Sequence, residues 1–251
     1  MSERRKSPIK IEETQPQMCS VDLRLEILDQ VPFFSQLTGN QIEEINRSFH
    51  EYGYQAGETI YFAGDPAARL YVVAAGKVKL MRHTSRGKDV LLDILTPGEF
   101  FGSLSYPRDE RYPDTAQAQT SVCVLAIDAE NFHQILKTHT EVTLQVLNVM
   151  AERLREAYEM VRQLSAHSVE RRIAYTLLKL AEKLGEESDV GLLIQAPLSR
   201  DDLAEMTGTS TETASRIVSQ FQKDGLVETG RQWVSIADRA GLQKVIDEAP
   251  D

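Results

Sequence analysis

The chain is predicted to be an α+β protein, and three stretches of its sequence carry that prediction. Between Tyr52 and Ile127, short apolar runs (Thr59-Ile-Tyr-Phe, Leu70-Tyr-Val-Val, Val78-Lys-Leu-Met, Val90 to Leu95, Val122 to Ile127) alternate with Gly57, Gly64, Gly76, Gly87 and Gly98. Strands and turns at that spacing suit a barrel or roll. From about Thr138 to Ser165 no proline or glycine interrupts a helical pattern. From Leu198 to Ile217, capping residues and one glycine mark two short helices joined by a tight turn. The expected architecture is an N-terminal β-roll, a long helix and a C-terminal winged helix-turn-helix.

Residues 1–20 carry charges and two prolines without periodicity, and are expected to be a disordered tail. The roll is placed at 21–137, led in by helical stretches Val21 to Leu28 and Gln41 to Phe49 on either side of Pro32-Phe-Phe-Ser-Gln-Leu-Thr. Its glycines are read mainly as turns. The long helix and a hinge at Ser165 to Glu170 occupy 138–168. Leu147, Leu154 and Val161 repeat every seven residues, as do Met150, Ala157 and Leu164, a seam that asks for a second helix. Val142, Leu144 and Val146 are assigned to packing on the roll. A homodimer is expected.

In the last part, 169–251, Ser199 and Asp202 cap a helix that turns Leu203 and Met206 inward, Gly208 permits the turn, and Ser210 caps the second helix. Ala214, Ile217, Val218 and Phe221 form that helix's inward stripe, leaving Glu212, Ser215 and Arg216 on another side. An arginine fork matches the two major-groove acceptors of guanine, and a carboxylate accepts from the cytosine amino group. Lys223 to Ile236 reads as a wing. Double-stranded DNA is the partner this chemistry suits.

Glu212-Thr-Ala-Ser215-Arg216 resembles the Glu-x-x-Ser-Arg recognition pattern of the CRP/FNR family of bacterial transcription regulators, most closely its FNR branch. The resemblance runs from about Asp22 onward. It implies a cyclic-nucleotide-binding-like jelly roll, a homodimer, and an inverted repeat with half-sites like TTGAT, read by Glu212, Ser215 and Arg216. Ser210, Thr211 and Thr213 would lie near the backbone or neighbouring bases, and Arg200 and Arg231 near phosphates. RNA polymerase is an implied partner, with hairpin 82–88 as a candidate contact, and activation is the implied sign of regulation.

The effector cassette of the resemblance falls on Pro97 to Leu104 and 111–115, so that Phe101, Gly102, Ser103, Leu104, Arg111, Tyr112 and Thr115 are the candidate pocket residues. The match fails at its chemical positions. Ser103 stands where a cyclic-AMP cassette keeps glutamate, Arg111 is one residue out of register and followed by Tyr112, and Asp114 places a negative charge near the phosphate. Cyclic AMP is not expected as effector; a different effector, or none, is the expectation. No cofactor is expected. Haem remains an alternative because Tyr112 to Ala118 resembles nitric-oxide-responsive regulators, although none of the five histidines falls in the Gly98 loop.

Composition sets further limits. The net charge is −10, and from Val169 onward ten basic side chains face fifteen acidic ones. Phosphate contact must therefore be local, which predicts sequence-selective binding with weak non-specific affinity and strong salt sensitivity. No apolar run approaches the roughly 20 residues needed to cross a bilayer, and a cytoplasmic protein is expected. Cys19 and Cys123 are too few for a zinc motif, a disulfide scaffold or an FNR-type cluster, and Cys123 alternates with Leu125 and Ile127 as a core residue. With no nucleophile-base pair and no Walker-type motif, catalysis has no residues to stand on. A ligand-binding module acting through protein partners is the alternative class of function.

Overall fold

The computed structural model describes residues 8–9, 20–84, 89–104 and 110–248. The expected tail, apart from Ile9, Pro8 and Ser20, and the tip of hairpin 82–88 lie outside the described residues. The chain divides into two compact units, one ending at Glu156 and the other running from Ala157.

In the first unit, α1 (Val21–Gln30) starts where the Ser20 hydroxyl accepts from the Leu23 amide at 3.2 Å. A 3₁₀ turn over Pro32–Phe34 follows, and α2 (Gly39–Asn46) begins at Thr38, whose amide donates to Gln41 Oε1 at 2.8 Å. Eight strands come next: β1 (His50–Tyr54), β2 (Thr59–Tyr61), β3 (Arg69–Ala75), β4 (Val78–His83), β5 (Asp89–Leu95), β6 (Phe100–Gly102), β7 (Thr115–Ala118) and β8 (Val122–Asp128). They form two antiparallel four-stranded sheets, ordered β1-β8-β3-β6 and β2-β7-β4-β5. The roll is thus present. The strand β7 and the helix α3 (Ala129–Thr138) were not anticipated, because Thr115-Ala-Gln-Ala is weakly apolar and α3 had been merged into the roll's end.

The first sheet separates two cores. Along β8, Cys123, Leu125 and Ile127 pack with α1, α2, α3 and the start of α4 (Thr140–Ala166), while Val122, Val124 and Ala126 face the second sheet. The same alternation sends Leu70 and Val72 one way and Tyr71 and Val73 the other. A strand covered on both faces reads as a continuous apolar run, as these do. Cys123 is 1% exposed, as its place in the alternation predicts.

On α4, Val142, Val146, Val149 and Met150 pack against the roll. Leu144 does not: it is 57% exposed, because residues two apart on a helix point nearly opposite ways, so Leu144 cannot share a face with Val142 and Val146. It joins an exposed apolar line with Leu147, Leu154, Tyr158 and Val161, spaced three, seven, four and three apart. Of the expected seam, Leu147, Leu154, Ala157, Val161 and Leu164 are exposed, whereas Met150 is turned toward the roll. The Arg153 guanidinium lies 3.7 Å from the Phe100 ring centroid and donates to the Phe100 carbonyl at 2.8 Å, fixing α4 on β6.

The second unit holds α5 (Val169–Leu184), β9 (Gly185–Ser188), β10 (Gly191–Ile194), α6 (Arg200–Thr207), α7 (Thr211–Lys223), β11 (Val227–Gly230), β12 (Trp233–Ile236) and α8 (Arg239–Glu248). Ser168, in the expected hinge, caps α5 by accepting from the Arg171 amide at 3.3 Å. Ile173, Leu177, Leu180 and Leu184 of α5 are buried with Leu203, Val218, Phe221, Val234 and Leu242. The sheet is ordered β11-β12-β10-β9. Among the described residues no helix is long and apolar enough to cross a membrane.

Candidate nucleic-acid interface

Two caps set the geometry of the helix pair α6 and α7. Ser199 Oγ accepts from the Asp202 amide at 3.0 Å while the Asp202 carboxylate accepts from the Ser199 amide at 2.8 Å, satisfying donors at the start of α6 in a reciprocal box. Gly208 ends that helix with φ 62° and ψ 39°, a left-handed turn that a side chain disfavours. Ser210 Oγ then accepts from the Thr213 amide at 3.2 Å and opens α7.

Ala214, Val218 and Phe221 are buried, which orients the opposite side of α7 outward. Thr211, Glu212 and Arg216 are exposed there, with Ser215 and Thr213 half-buried beside them. Ile217, expected inside, is half-buried at the edge of the stripe. The sequence-predicted reading residues therefore share one accessible face. Ser210 and Thr213 are occupied with each other, their hydroxyls 3.0 Å apart. The Thr211 hydroxyl donates to Asp201 at 2.5 Å, a cross-brace between the helices that the sequence pattern did not signal.

Arg200 sits in the first turn of α6, half-buried, and burial holds its guanidinium below the usual arginine range. It is a more constrained cation than the exposed Arg216 and Arg231. Arg231 occupies the two-residue tip between β11 and β12, where Gly230 pairs with Trp233 and Gln232 has φ 60°. The tip is held: Gln232 O accepts from the Leu198 amide at 2.9 Å, and the Thr229 hydroxyl donates to Gln222 Oε1 at 3.2 Å. A wing so tied presents Arg231 at a fixed place beside α7.

The candidate effector residues are brought together only in part. Phe101, Tyr112 and Thr115 are buried in the core between the two sheets, where Tyr61 stacks on Tyr112 at 3.8 Å and Tyr71 on Phe101 at 5.1 Å. Leu104 packs instead against the helical core, and Arg111 is exposed, donating to Gly64 O at 2.6 Å. Gly102 has φ 91°, and a Cβ there would stand 2.6 Å from Arg69 O, so its glycine serves the close approach of β6 to β3.

Polar groups in this interior answer one another. The Tyr61 hydroxyl donates to Asp114 at 2.9 Å, Ser103 donates to Glu110 at 2.6 Å, and Thr115 Oγ1 accepts from the Ala63 amide at 3.0 Å. Tyr112 donates to Arg69 O and accepts from the Arg69 amide, each at 3.1 Å. Burial raises the Tyr61 and Tyr71 phenols well above their ordinary value, and burial also raises Asp114, the Tyr61 hydrogen bond acting the other way. Among the described residues no cluster of three or more His, Cys, Asp or Glu is arranged to hold a metal.

Residues 53–139 match the cyclic nucleotide-binding domain and residues 171–245 the Crp-like helix-turn-helix domain. The chain is 31% identical to the cyclic AMP receptor protein of Thermus thermophilus, a match covering 85% of this chain and 96% of that protein. It belongs to the CRP/FNR family of transcription regulators. Other relatives of this CRP/FNR protein are the CRP-like cAMP-activated global transcriptional regulator of Mycobacterium tuberculosis (27% identical; 87% and 98% covered) and the transcriptional activator protein FnrA of Stutzerimonas stutzeri (28%; 78% and 80%). Its fold is also that of FixK2 from Bradyrhizobium japonicum, with a TM-score of 0.71 at 24% identity over 81% of this chain and 99% of that one. CRP/FNR regulators are DNA-binding proteins, and α6 and α7 lie within the stretch that matches the Crp-like helix-turn-helix domain.

Proposed function

We propose that the protein acts as a homodimer on an inverted repeat with TTGAT-like half-sites, and that it does so without cyclic AMP. Exposure of Glu212 and Arg216 on one face of α7, with Ser215 half-buried beside them and the opposite face buried, carries the DNA-reading part. Arg216 reads guanine, Glu212 the cytosine amino group, and Arg231 contacts phosphate from the wing. The exposed line Leu144, Leu147, Leu154, Tyr158 and Val161 supports pairing of two α4 helices, and a twofold axis matches an inverted repeat. Packing of the cassette-region residues supports independence from a nucleotide: Tyr112 stacks on Tyr61 and Phe101 on Tyr71, and Asp114 adds a carboxylate that repels phosphate. Activation is supported by the relative FnrA, a transcriptional activator protein, and RNA polymerase is the partner through which this protein would act.

The test is a mobility shift of the untreated full chain on an inverted TTGAT duplex, with and without cyclic AMP, and an absorption spectrum of the same sample. Specific binding by colourless protein, unchanged by the nucleotide, is expected. Binding that appears only with cyclic AMP, or a haem Soret band, would overturn the effector reading, and absence of binding throughout would overturn the choice of operator. Leu154→Arg is expected to convert dimer to monomer in sedimentation and to abolish the shift with it.

A further inference from the structure

The turn between α6 and α7 is touched from two other elements. Arg172, in the first turn of α5, donates from Nη1 to the Thr207 carbonyl at 2.6 Å. That carbonyl belongs to the last residue of α6, one of those a helix leaves without an internal partner and where the helix dipole favours a cation. Thr207 is itself 1% exposed, with its hydroxyl donating to Leu203 O at 2.6 Å, so the carbonyl is fixed in place. The next residue is Gly208. A Cβ on it would lie 3.4 Å from Arg172 Nη1 and 3.5 Å from Leu164 Cδ2, which puts the guanidinium and a leucine methyl from the last turns of α4 against the same backbone turn.

We infer that Arg172, backed by Leu164, is a positioning residue for DNA reading: it sets the angle at which α7 leaves the Gly208 turn, and so where Glu212 and Arg216 meet base edges. The inference rests on the DNA-reading function and adds residues to it that touch no base. It also adds a route of coupling besides the Ser165 to Glu170 hinge. The end of α4 reaches the turn through Leu164 directly, so movement of that helix is passed to the reading head without going through the Ser165 to Glu170 connection. The Thr211 to Asp201 bond holds the other side of the turn, leaving α6 and α7 as one piece that Arg172 steers. Leu164, read from the sequence as part of the dimer seam, is 42% exposed and serves this contact.

The test uses the full chain and a duplex enriched by the wild-type protein from a random pool, so that wild-type reading is established before variants are compared. Arg172→Gln is expected to lower affinity for the enriched duplex at least about tenfold, the scale of one mismatched base pair, while affinity for a scrambled duplex stays as in wild type. The slope of log affinity against log salt should not change. Arg172→Lys keeps one donor for the Thr207 carbonyl and should recover most of the loss, and Leu164→Ala should show a smaller loss of the same kind.

Equal losses on both duplexes, with the salt slope reduced by about 0.9, would make Arg172 an ordinary phosphate contact and overturn the inference. Unchanged affinity for the enriched duplex would overturn it as well. If Arg172→Gln does not fold, as judged by its melting curve, Arg172→Lys and Leu164→Ala decide: wild-type discrimination in both would refute the positioning role. Failure of the wild-type chain to enrich any duplex would remove the DNA-reading function itself.

Discussion

The recognition helix and the roll interior match the same family, yet they use their matching residues in opposite ways. On α7 the family residues Glu212 and Arg216 stand exposed, while the helix's apolar side anchors it. In the roll, Phe101, Tyr112 and Thr115 of the cassette region are buried and bonded to their own chain. An exposed polar face has unspent hydrogen-bonding capacity and is available to a partner. An interior whose rings stack and whose hydroxyls are paired is a packed core, held by the same forces as any other. On the function proposed above, likeness of sequence carries base reading at the first place and chiefly architecture at the second.

The sharpest way to break this contrast is Phe101→Ala. If the interior is packed as described, truncating a side chain 2% exposed should cost about 3–5 kcal/mol, read as a large fall in the melting temperature of the full chain. An unchanged melting temperature would show a loose interior able to admit a ligand. Next in size is Arg216→Ala, expected to lose about 1–3 kcal/mol of discrimination for the operator in a competition mobility shift while melting as wild type does. A shifted melting curve would mean that Arg216 supports the fold and is not a free reading group.

Ser199→Ala removes the hydroxyl that caps α6 and should cost about 1 kcal/mol in denaturant unfolding, with operator binding reduced only as far as the helix frays. The smallest effect belongs to Asp114→Asn. Burial raises the folded-state pKa of Asp114, so the folded protein holds this proton more firmly than the unfolded chain, and stability is lost as pH rises from the ordinary carboxylate value through the raised one. Asparagine still accepts from Tyr61 but carries no charge. The variant should melt slightly higher than wild type at neutral pH, and the gain should vanish in acid. A gain that persists at low pH would assign the effect to packing.

Much of the reading head was legible in the sequence because its signals are local. Ser199, Asp202, Gly208 and Ser210 act on neighbours within a turn of chain, and a stripe such as Ala214, Val218 and Phe221 is visible in spacing alone. The strands of the roll were legible as apolar runs for a comparable reason. What was not legible depends on residues far apart in the chain. Nothing near Tyr61 announces Asp114 as its partner, and nothing near Arg172 announces Thr207. Leu144 departs from the expectation although spacing alone places it, because two residues from Val142 it points to the opposite side of the helix. Met150 shows the reverse limit, because a heptad position close to a roll is claimed by whichever surface is nearer.

The strand β8 is buried along its length from Val122 to Ile127, with alternate residues serving opposite sides. Such a strand is a party wall one residue thick. Inserting or deleting a single residue near its start would exchange its two rows, handing Leu125 and Ile127 to the space between the sheets and Val124 and Ala126 to the helices. The volumes on both sides would then be wrong together. Surface loops tolerate insertions, but this strand has a fixed count, and the register of its partners β1 and β3 is tied to it.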